Sequence, residues 1–244
     1  MRVVEPQNEV PNRTAVHEIV RWNGLEFVIR LNSVDGENLG WMANSPFWEA
    51  LQAAPLSPGD VILDLGAHIG SFSLLAAKYG RCRVFAFEPD LESLALCRIN
   101  TLLNSLEAQV SCYPFAIGGE TGEVTLYEAT ENWGHTIMKS GGPANVLTGK
   151  STQVKCFSLA DAILASAAPR CAFLKFNIEG AEFEMLENSD LDTLRRIAVM
   201  VGEIHLDICP HKTEILEARL GEAGFAIRMI PAGDYRRILL ATQK

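Results

Sequence analysis

The sequence predicts an α/β fold: a doubly wound, mostly parallel seven-stranded sheet with an antiparallel last strand. Between residues 60 and 205, apolar runs that resemble strands alternate with segments that resemble helices. Such alternation is typical of parallel strands joined by helices on both faces of a sheet. The last two strand-like runs are joined only by the short segment PAGDY, so they are expected to pair antiparallel. A chain of 244 residues is long enough for one substantial core of this kind.

The chain is expected to open with a small N-terminal appendage, residues 1–57, that contains a β-hairpin and a short helix. Residues 17–31 read HEIVRWNGLEFVIRL, in which apolar residues alternate on both sides of Asn23-Gly24. Asn-Gly between two such runs is a strong signal for a two-residue hairpin turn. The hairpin is therefore predicted to precede the core.

The rest of this N-terminal appendage is predicted from its turn residues. Residues 1–13 are polar, include two prolines and are expected to be loose, and residues 32–44 are predicted to form a loop. Ser45 and Pro46 are a typical N-cap and first-turn proline, and they predict a short helix over FWEALQAA. This helix leads into the first strand of the core.

The core domain is expected to span residues 58–244, with a long insertion at about 118–157. The insertion contains a hairpin-like run GEVTLYEA, a stretch rich in Gly, Ser and Asn, and a strand-like run TQVKCF. A loop this long inside a compact domain is usually functional or mobile. The predicted core elements are strands at 60–65, 83–88, 109–115, 171–177, 197–205, 224–229 and 236–242, and helices at 70–79, 90–103, 158–165, 180–188 and 211–222.

The composition favours a small-molecule partner. The formal net charge is −9, the isoelectric point is near 5.1, and no cluster of Lys and Arg is longer than two residues. Proteins that bind a phosphate backbone usually present a basic face, so nucleic acid is not expected as the main partner. No apolar run is long enough to span a membrane, and the N-terminus lacks the apolar stretch of a signal peptide.

The six cysteines are scattered singly through apolar segments, without a C-x-x-C pair. At this chain length and spacing a disulfide framework is not expected, and the cysteines are interpreted as small buried residues of a reduced protein. Together with the missing signal peptide, this pattern predicts a cytoplasmic protein. The sequence is also compatible with a homo-oligomer.

The strongest functional signal is a pair of carboxylates, each at the end of an apolar run. Residues 61–70 read VILDLGAHIG, a run that ends at Asp64 and turns into Gly66 and Gly70; the next run, VFAFEPD, ends at Glu88. The glycines permit a tight turn and the close approach of a ligand, and the helix that follows presents free N–H groups to it. A carboxylate at the end of the second strand is where a nucleotide-like ligand presents its ribose hydroxyls.

The glycine spacing does not match the NAD-type pattern G-x-G-x-x-G. It reads Asp64-x-Gly66-x-x-x-Gly70, so the middle glycine that admits a pyrophosphate does not line up. An acidic residue in the turn also favours a ligand that carries positive charge. S-adenosylmethionine, with its ribose, ammonium and sulfonium groups, satisfies both conditions.

Three segments together resemble the FkbM family of S-adenosylmethionine-dependent methyltransferases. They are VILDLGAHIGSFSLLAA, VFAFEPDLESLALCRIN and LKFNIEGAEFEML, and the likeness runs from about residue 58 to about residue 205. The resemblance implies the Rossmann-like fold of class I methyltransferases and S-adenosylmethionine as the cofactor. It also implies methyl transfer to a hydroxyl oxygen of a natural product or sugar.

The candidate cofactor residues come just after the strands, because ligands of open α/β sheets bind outside the carboxyl ends of the strands. By resemblance, Gly66 and its neighbours approach the methionine and ribose, and Glu88 accepts hydrogen bonds from the ribose hydroxyls. His68 is interpreted first as a turn residue. The predicted cofactor-binding residues are Asp64, Gly66, Ala67, His68, Gly70, Ser71, Glu88, Pro89, Asp90, Phe115, Ala116 and Asn177.

The segment LKFNIEGAEFEMLEN predicts a second cluster of polar groups. Asn177, Glu179 and Glu182 follow an apolar strand and begin the next helix, where they either line the substrate site or stabilise the helix through its dipole. The family pattern normally has Asp where this chain has Asn177, so no metal ligand or general base is expected there, although an amide still orients a hydroxyl. A magnesium-assisted variant with oxygen ligands including Glu203 stays open, but no metal is predicted.

The strand-like run VMVGEIH predicts the catalytic group. Glu203 and His205 are two residues apart and share one face of a strand. A His beside a carboxylate is typical of a general base, and an aliphatic hydroxyl must lose its proton as the methyl group arrives. His205 is therefore the predicted base, with Glu203 as its partner and Asn177 nearby, unless the two form a structural pair. His135, in the insertion, is the rival base.

Two tryptophans outside the central alternation, Trp41 and Trp133, are expected to wall a substrate pocket with His135, Glu179 and Glu182. The alternative is that they pack the appendage onto the sheet. The sequence thus predicts an S-adenosylmethionine-dependent O-methyltransferase that acts on a hydroxyl of a small secondary metabolite or sugar. Two alternatives stay open: an NAD(P)-dependent oxidoreductase and a non-catalytic S-adenosylmethionine-binding protein.

Overall fold

The structure, a computed structural model, describes residues 16–31, 33–140, 146–208 and 213–244. The expectation for residues 1–13 lies outside the described residues, as does the start of the helix predicted from residue 211. The strands are β1 (His17–Trp22), β2 (Leu25–Arg30), β3 (Val61–Leu65), β4 (Arg83–Phe87), β5 (Val110–Tyr113), β6 (Ala116–Ile117), β7 (Gly122–Ala129), β8 (Leu147–Phe157), β9 (Cys171–Phe176), β10 (Ile197–His205), β11 (Phe225–Pro231) and β12 (Arg236–Gln243). The helices are α1 (Asp35–Met42), α2 (Pro46–Ala53), α3 (Ser71–Gly80), α4 (Leu91–Leu103), α5 (Leu159–Ala165), α6 (Glu182–Asn188), α7 (Leu191–Arg195) and α8 (Thr213–Glu222).

A seven-stranded sheet in the order β11-β12-β10-β9-β3-β4-β5 forms the centre of the molecule. The pairs β10–β9, β9–β3, β3–β4 and β4–β5 are parallel, whereas β12 runs antiparallel to both of its neighbours. The predicted fold class is therefore confirmed, including the antiparallel last strand. The carboxyl ends of β3, β4, β9 and β10 all reach the same edge of the sheet.

Both faces of the sheet are covered, which explains why its strands read as continuous apolar runs. Along β3, Leu63 and Leu65 pack into the cluster that contains Phe183 of α6. Ile62 points to the opposite face and packs with Phe72 of α3. Because side chains alternate across a strand, one short apolar run serves two cores.

The N-terminal hairpin and the helix α2 form as predicted, but the predicted loop at 32–44 contains the helix α1. Its first turn carries Asp35 and Glu37, which the helix dipole favours, and it buries Leu39 and Met42. These signals are too sparse to stand out from a loop in the sequence. The boundary placed between appendage and core at residue 57 stays a prediction.

The insertion forms a small sheet of its own, in the order β6-β8-β7. Strand β8 begins at Leu147, earlier than the run TQVKCF indicates. After β7 the chain turns back over the main sheet, and Thr136 and Tyr127 exchange two backbone hydrogen bonds of 2.7 and 3.1 Å. The Thr136 hydroxyl also donates to the carbonyl oxygen of Glu179. The segment 130–140 is thereby tied to the site edge of the sheet.

Within the part of the chain that the structure describes, no helix combines the length and apolar character needed to cross a bilayer.

Candidate active site

Five neighbouring strands deliver side chains or turns to one edge of the sheet. Glu88 follows β4, Gly66 follows β3, Asn177 follows β9, and Glu203 lies near the end of β10. Strand β12 runs in the opposite direction, so its first residue, Arg236, pairs with the end of β10 at the same edge. Adjacent strands lie roughly 4.8 Å apart, which sets these residues out in a row. All five line one cavity of about 330 Å³.

Gly66 is where the turn after β3 touches the end of β9. Its φ of 77° is left-handed, and a Cβ placed there would lie 1.9 Å from the carbonyl oxygen of Asn177. No other residue fits without moving one of the two strands. The amides of Gly66 and Ala67 both donate to the carbonyl oxygen of Phe87, at 3.0 Å, so the turn is also tied to β4.

Glu88 is held by main-chain donors. Its Oε2 atom accepts the amide of His68 at 2.7 Å, and Oε1 accepts the amide of Asp90 at 2.9 Å. Each carboxylate oxygen keeps a further lone pair for a ligand. Burial raises the pKa of Glu88 to about 7, although the two amides and the nearby Lys175 oppose the shift. The carboxylate is thus fixed and desolvated on the cavity wall.

His68 connects this turn to the N-terminal segment. Its Nε2 atom accepts a hydrogen bond from Arg30 Nη2 at 2.8 Å, and Arg30 pairs with the fully buried Asp35 at 2.9 Å. Burial lowers the pKa of His68 to about 4, against the opposing effect of Asp35. Asn132 of the insertion also donates to Asp35, at 3.0 Å. The N-terminal segment, the turn and the insertion therefore meet through one buried polar group.

Lys175 is a site residue that sequence reasoning missed. It lies near the carboxyl end of the buried strand β9, and its Nζ atom contacts Asp64 Oδ1 at 2.9 Å and donates to the carbonyl oxygen of Gly66 at 2.7 Å. Ser73 donates to Asp64 Oδ2 at 2.6 Å. Asp64 is fully buried and does not line the cavity, so its charge meets Lys175 rather than a cationic ligand. The available signal was a lysine inside the apolar run CAFLKF.

The structure places His205, the base predicted from the sequence, among carboxylates. It is fully buried outside the cavity wall, with Nδ1 2.7 Å from Glu182 Oε1 and Nε2 3.1 Å from Glu179 Oε2. Burial by itself lowers the pKa of His205, but the two carboxylates outweigh it and hold the pKa well above its usual range. An imidazolium carries a hydrogen on each ring nitrogen and cannot accept a further proton. Glu182, also fully buried and outside the cavity, serves this pair instead of a substrate.

His135 does line the cavity, but its ring is committed as well. The Nδ1 atom accepts the amide of Ala129 at 3.1 Å. In the neutral ring the proton therefore sits on Nε2, which then donates a hydrogen bond. His135 fits an orienting role better than that of the rival base.

The end of the cavity beyond Asn177 is charged and aromatic. Arg236 Nη1 lies 3.4 Å from Glu203 Oε1, and the guanidinium sits 5.5 Å from the centroid of the Trp133 ring. Burial raises the pKa of Glu203, with His205 and Arg236 opposing the shift. A stacked guanidinium and a carboxylate hold each other in place. We call Glu203, Arg236 and Trp133 the acceptor end of the cavity.

Most predicted site residues line the cavity, and a few support it from outside. Those on the wall are Gly66, Ala67, His68, Ser71, Glu88, Pro89, Phe115, Ala116, Asn177, Trp41, Trp133, His135, Glu179 and Glu203. Those off the wall are Asp64, Gly70, Asp90, Glu182 and His205. Gly70 packs against Cys97, and Asp90 caps α4 by accepting the Ser93 amide at 2.8 Å. Sequence reasoning also missed Asn132 and Arg236, which carry no local signal beyond a basic dipeptide.

A comparison with protein families identifies the family to which this site belongs. The model of the methyltransferase FkbM domain matches residues 64–236, which is most of the chain and includes every strand end described above. The chain belongs to the FkbM methyltransferase family. The resemblance seen in the sequence is therefore confirmed, and S-adenosylmethionine is the cofactor to which the residues are compared below.

Two characterised relatives are similar to this FkbM-family chain. The 31-O-demethyl-FK506 methyltransferase FkbM of Streptomyces tacrolimicus is 27% identical over 176 residues, which cover 62% of this chain and 67% of the relative. The hexuronic acid methyltransferase AglP of Haloferax volcanii is 23% identical over 163 residues, which cover 66% of this chain and 63% of the relative. The match thus spans about two thirds of the length of each relative.

Solved structures confirm the fold. Trm5b from Pyrococcus abyssi aligns with a TM-score of 0.52 and 14% identity, over 93% of this chain and 55% of that one. TYW2 from M. jannaschii, solved with AdoMet, aligns with a TM-score of 0.51 and 13% identity, over 93% of this chain and 85% of that one. At this level of identity the likeness concerns the Rossmann-like methyltransferase fold alone.

Proposed function

We propose that this FkbM-family protein is an S-adenosylmethionine-dependent O-methyltransferase that acts on a hydroxyl of a small molecule, either a secondary metabolite or a sugar. The observation that carries the proposal is the row of Glu88, Gly66, Asn177 and Glu203 along one edge of the sheet, inside a single cavity. The row runs from a fixed carboxylate, past a bare glycine, to the charged acceptor end. This order matches the order of ribose, methionine and acceptor.

The residues at the first part of the row fit the cofactor. Both oxygens of Glu88 are fixed by amides and keep lone pairs that suit the two ribose hydroxyls. Gly66 presents bare backbone to the cavity. The Oδ1 atom of Asn177 is buried and accepts no hydrogen bond from the described residues, so it suits the ammonium group of the methionine portion. S-adenosylmethionine supplies an electrophilic methyl group when it is bound.

The second part of the row suits an oxygen acceptor. An aliphatic hydroxyl must lose its proton on methylation, and the acceptor end carries a carboxylate, Glu203, that suits this proton. Trp41 and Trp133 line the same cavity, and aromatic walls of this kind suit a site from which a bound acceptor displaces water. The names of the two relatives specify a 31-O-demethyl compound and a hexuronic acid, both oxygen-rich small molecules. These features support a small hydroxyl acceptor.

Calorimetric titration with S-adenosylmethionine and S-adenosylhomocysteine tests the cofactor assignment. Glu88→Ala removes two charge-assisted hydrogen bonds, so we expect affinity to fall by roughly 100-fold. Glu107→Ala, an exposed carboxylate between α4 and β5, is the matched control and is expected to bind like the wild type. Near-normal affinity of Glu88→Ala contradicts the ribose assignment. Binding of NADH in place of S-adenosylmethionine favours the oxidoreductase.

A screen of acceptors tests the reaction itself. Labelled S-adenosylmethionine is incubated with a panel of sugars, uronic acids and hydroxylated natural products, and the methylated atom is found by mass spectrometry. We expect the label on an oxygen. Label on nitrogen contradicts the proposal, and cofactor binding without transfer to any member of the panel favours the non-catalytic binding protein.

A further inference from the structure

We propose that Glu203 is the catalytic base that takes the proton from the acceptor hydroxyl, and that Arg236 and His205 position its carboxylate. The proposal rests on the methyltransferase function above and reverses the roles expected from the sequence. Glu203 lines the cavity, whereas His205 lies behind it.

The strand register places Glu203 beside Asn177, on the side of the cavity away from Glu88. Gly202 of β10 pairs with Phe176 of β9 in the parallel ladder, so the following residues, Glu203 and Asn177, lie side by side. A Cβ on Gly202 would come within 2.1 Å of the Phe176 ring, which shows how closely the two strands pack here. Glu203 therefore stands one strand spacing, roughly 4.8 Å, beyond Asn177 on the side away from Glu88.

Two cations flank the Glu203 carboxylate, one on the cavity wall and one behind it. Arg236 Nη1 lies 3.4 Å from Oε1, and His205 Nε2 lies 3.9 Å from Oε2. Glu179 also faces this group, and its Oε2 atom lies 4.0 Å from Arg236 Nη2. Burial raises the pKa of Glu203, as does Glu179, while the two cations oppose the shift. A carboxylate with raised pKa binds a proton more strongly than an exposed one, which a base requires.

The other candidate bases have committed proton-accepting atoms. Both nitrogens of His205 face carboxylates, and Nδ1 of His135 accepts a backbone amide. The Oε2 atom of Glu179 lies 3.1 Å from His205 Nε2 and pairs with its charge. An amide such as Asn177 has no useful proton affinity. Glu203 thus combines access to the cavity with a carboxylate that is oriented but not buried behind the wall.

The proton transfer balances within one methyl-transfer event. The acceptor O–H bond breaks, its proton passes to the Glu203 carboxylate, and its electron pair stays on oxygen, which forms the new bond to the methyl carbon. The bond from that carbon to sulfur breaks, and its electron pair stays on sulfur. One positive and one negative charge disappear together, leaving a neutral thioether and a neutral carboxylic acid.

Binding of two cofactor analogues tests the position of Glu203 without a known acceptor. Sinefungin carries an amine at the place of the transferred methyl group, whereas S-adenosylhomocysteine carries nothing there. Glu203→Gln is expected to lower the affinity for sinefungin by roughly tenfold, because one charge-assisted contact is lost. The affinity for S-adenosylhomocysteine is expected to change less than about twofold. Glu184→Gln, an exposed carboxylate on α6, is the matched control and is expected to leave both unchanged.

Each outcome decides the assignment. Equal weakening of both analogues, or none, overturns the role of Glu203. If the melting curve shows that Glu203→Gln does not fold, the wild type is titrated at several pH values instead. Lowering the pH must then weaken the binding of sinefungin relative to that of S-adenosylhomocysteine, because Glu203 takes up a proton. A ratio of the two affinities that does not change with pH overturns the proposal. Failure of S-adenosylhomocysteine to bind the wild type contradicts the proposed function itself. That result is distinct from an unchanged ratio of the two affinities, which contradicts only the role of Glu203.

Discussion

The two ends of the cavity are assembled in different ways. At the cofactor end, Gly66 and Glu88 lie in one strand-helix-strand unit and are held by backbone amides and carbonyls. At the acceptor end, Trp133, Glu203 and Arg236 come from three distant parts of the chain, and contacts between their side chains hold them: an ion pair between Arg236 and Glu203 and a cation-π contact between Arg236 and Trp133. Under the proposed function, a shape set by the backbone suits a cofactor that is the same in every reaction, whereas contacts between side chains leave room for different acceptors.

The two ends of the cavity also differ in how their buried charges are paired. Under the cofactor end, one pair, Lys175 and Asp64, closes off its charge beneath the turn. At the acceptor end, the cations His205 and Arg236 are shared among several carboxylates. We therefore expect replacement of Gly66 or Lys175 to act through geometry, and replacement of His205 to have an effect that depends on pH.

The largest effect is expected from Gly66→Ala. The new Cβ meets the carbonyl oxygen of Asn177 at 1.9 Å, and φ is 77°, so the turn or β9 must move. We expect a loss of more than about 4 kcal/mol in stability or of measurable S-adenosylmethionine binding. Gly221→Ala in α8 is the control, because a Cβ there would meet no atom within 4 Å outside the backbone of its own helix. This variant is expected to gain up to about 1 kcal/mol in stability. If Gly66→Ala binds S-adenosylmethionine with normal affinity, the backbone shape at Gly66 does not define the cofactor end of the cavity.

Lys175→Met comes next. It leaves Asp64 buried without its cation and deprives the carbonyl oxygen of Gly66 of a donor. Loss of one partner of a buried pair costs about 3–5 kcal/mol, measured here by urea unfolding. Lys150→Met breaks the exposed pair with Glu128 and is expected to cost less than about 1 kcal/mol. Similar costs for the two variants would mean that the buried pair does not hold the turn.

His205→Asn is expected to have a smaller, pH-dependent effect. Because the folded state raises the pKa of His205 above 6.5, its stabilising contribution is complete below about that pH and is lost as pH rises through the folded pKa. The variant should therefore be less stable than the wild type by about 2 kcal/mol near pH 6, with a smaller difference near pH 9. S-adenosylmethionine affinity should stay within about threefold. A difference in stability that does not vary with pH would contradict the imidazolium.

Much of the fold was predictable because its signals are local. The runs VILDL and VFAF predicted β3 and β4, and Ser45-Pro46 predicted α2, whose N-cap accepts the Trp48 amide at 3.2 Å. Helix α1 was mistaken for a loop because two acidic residues and two buried apolar ones make a weak pattern. Of the three residues at the acceptor end, the sequence pointed to Glu203 and Trp133 as site residues but not to Arg236, which reaches the cavity only through the pairing of β12 with β10.

The sequence by itself determined the strand ends, the glycine turn and Glu88, because hydrophobic period and turn chemistry act over a few neighbouring residues. The tertiary structure decided which charges meet. Strand order brings Lys175 beneath Asp64, and the same packing places Glu179 and Glu182 on either side of His205. Whether a histidine is a base or an imidazolium depends on partners distant in sequence, since electrostatic interactions follow distance in space and burial.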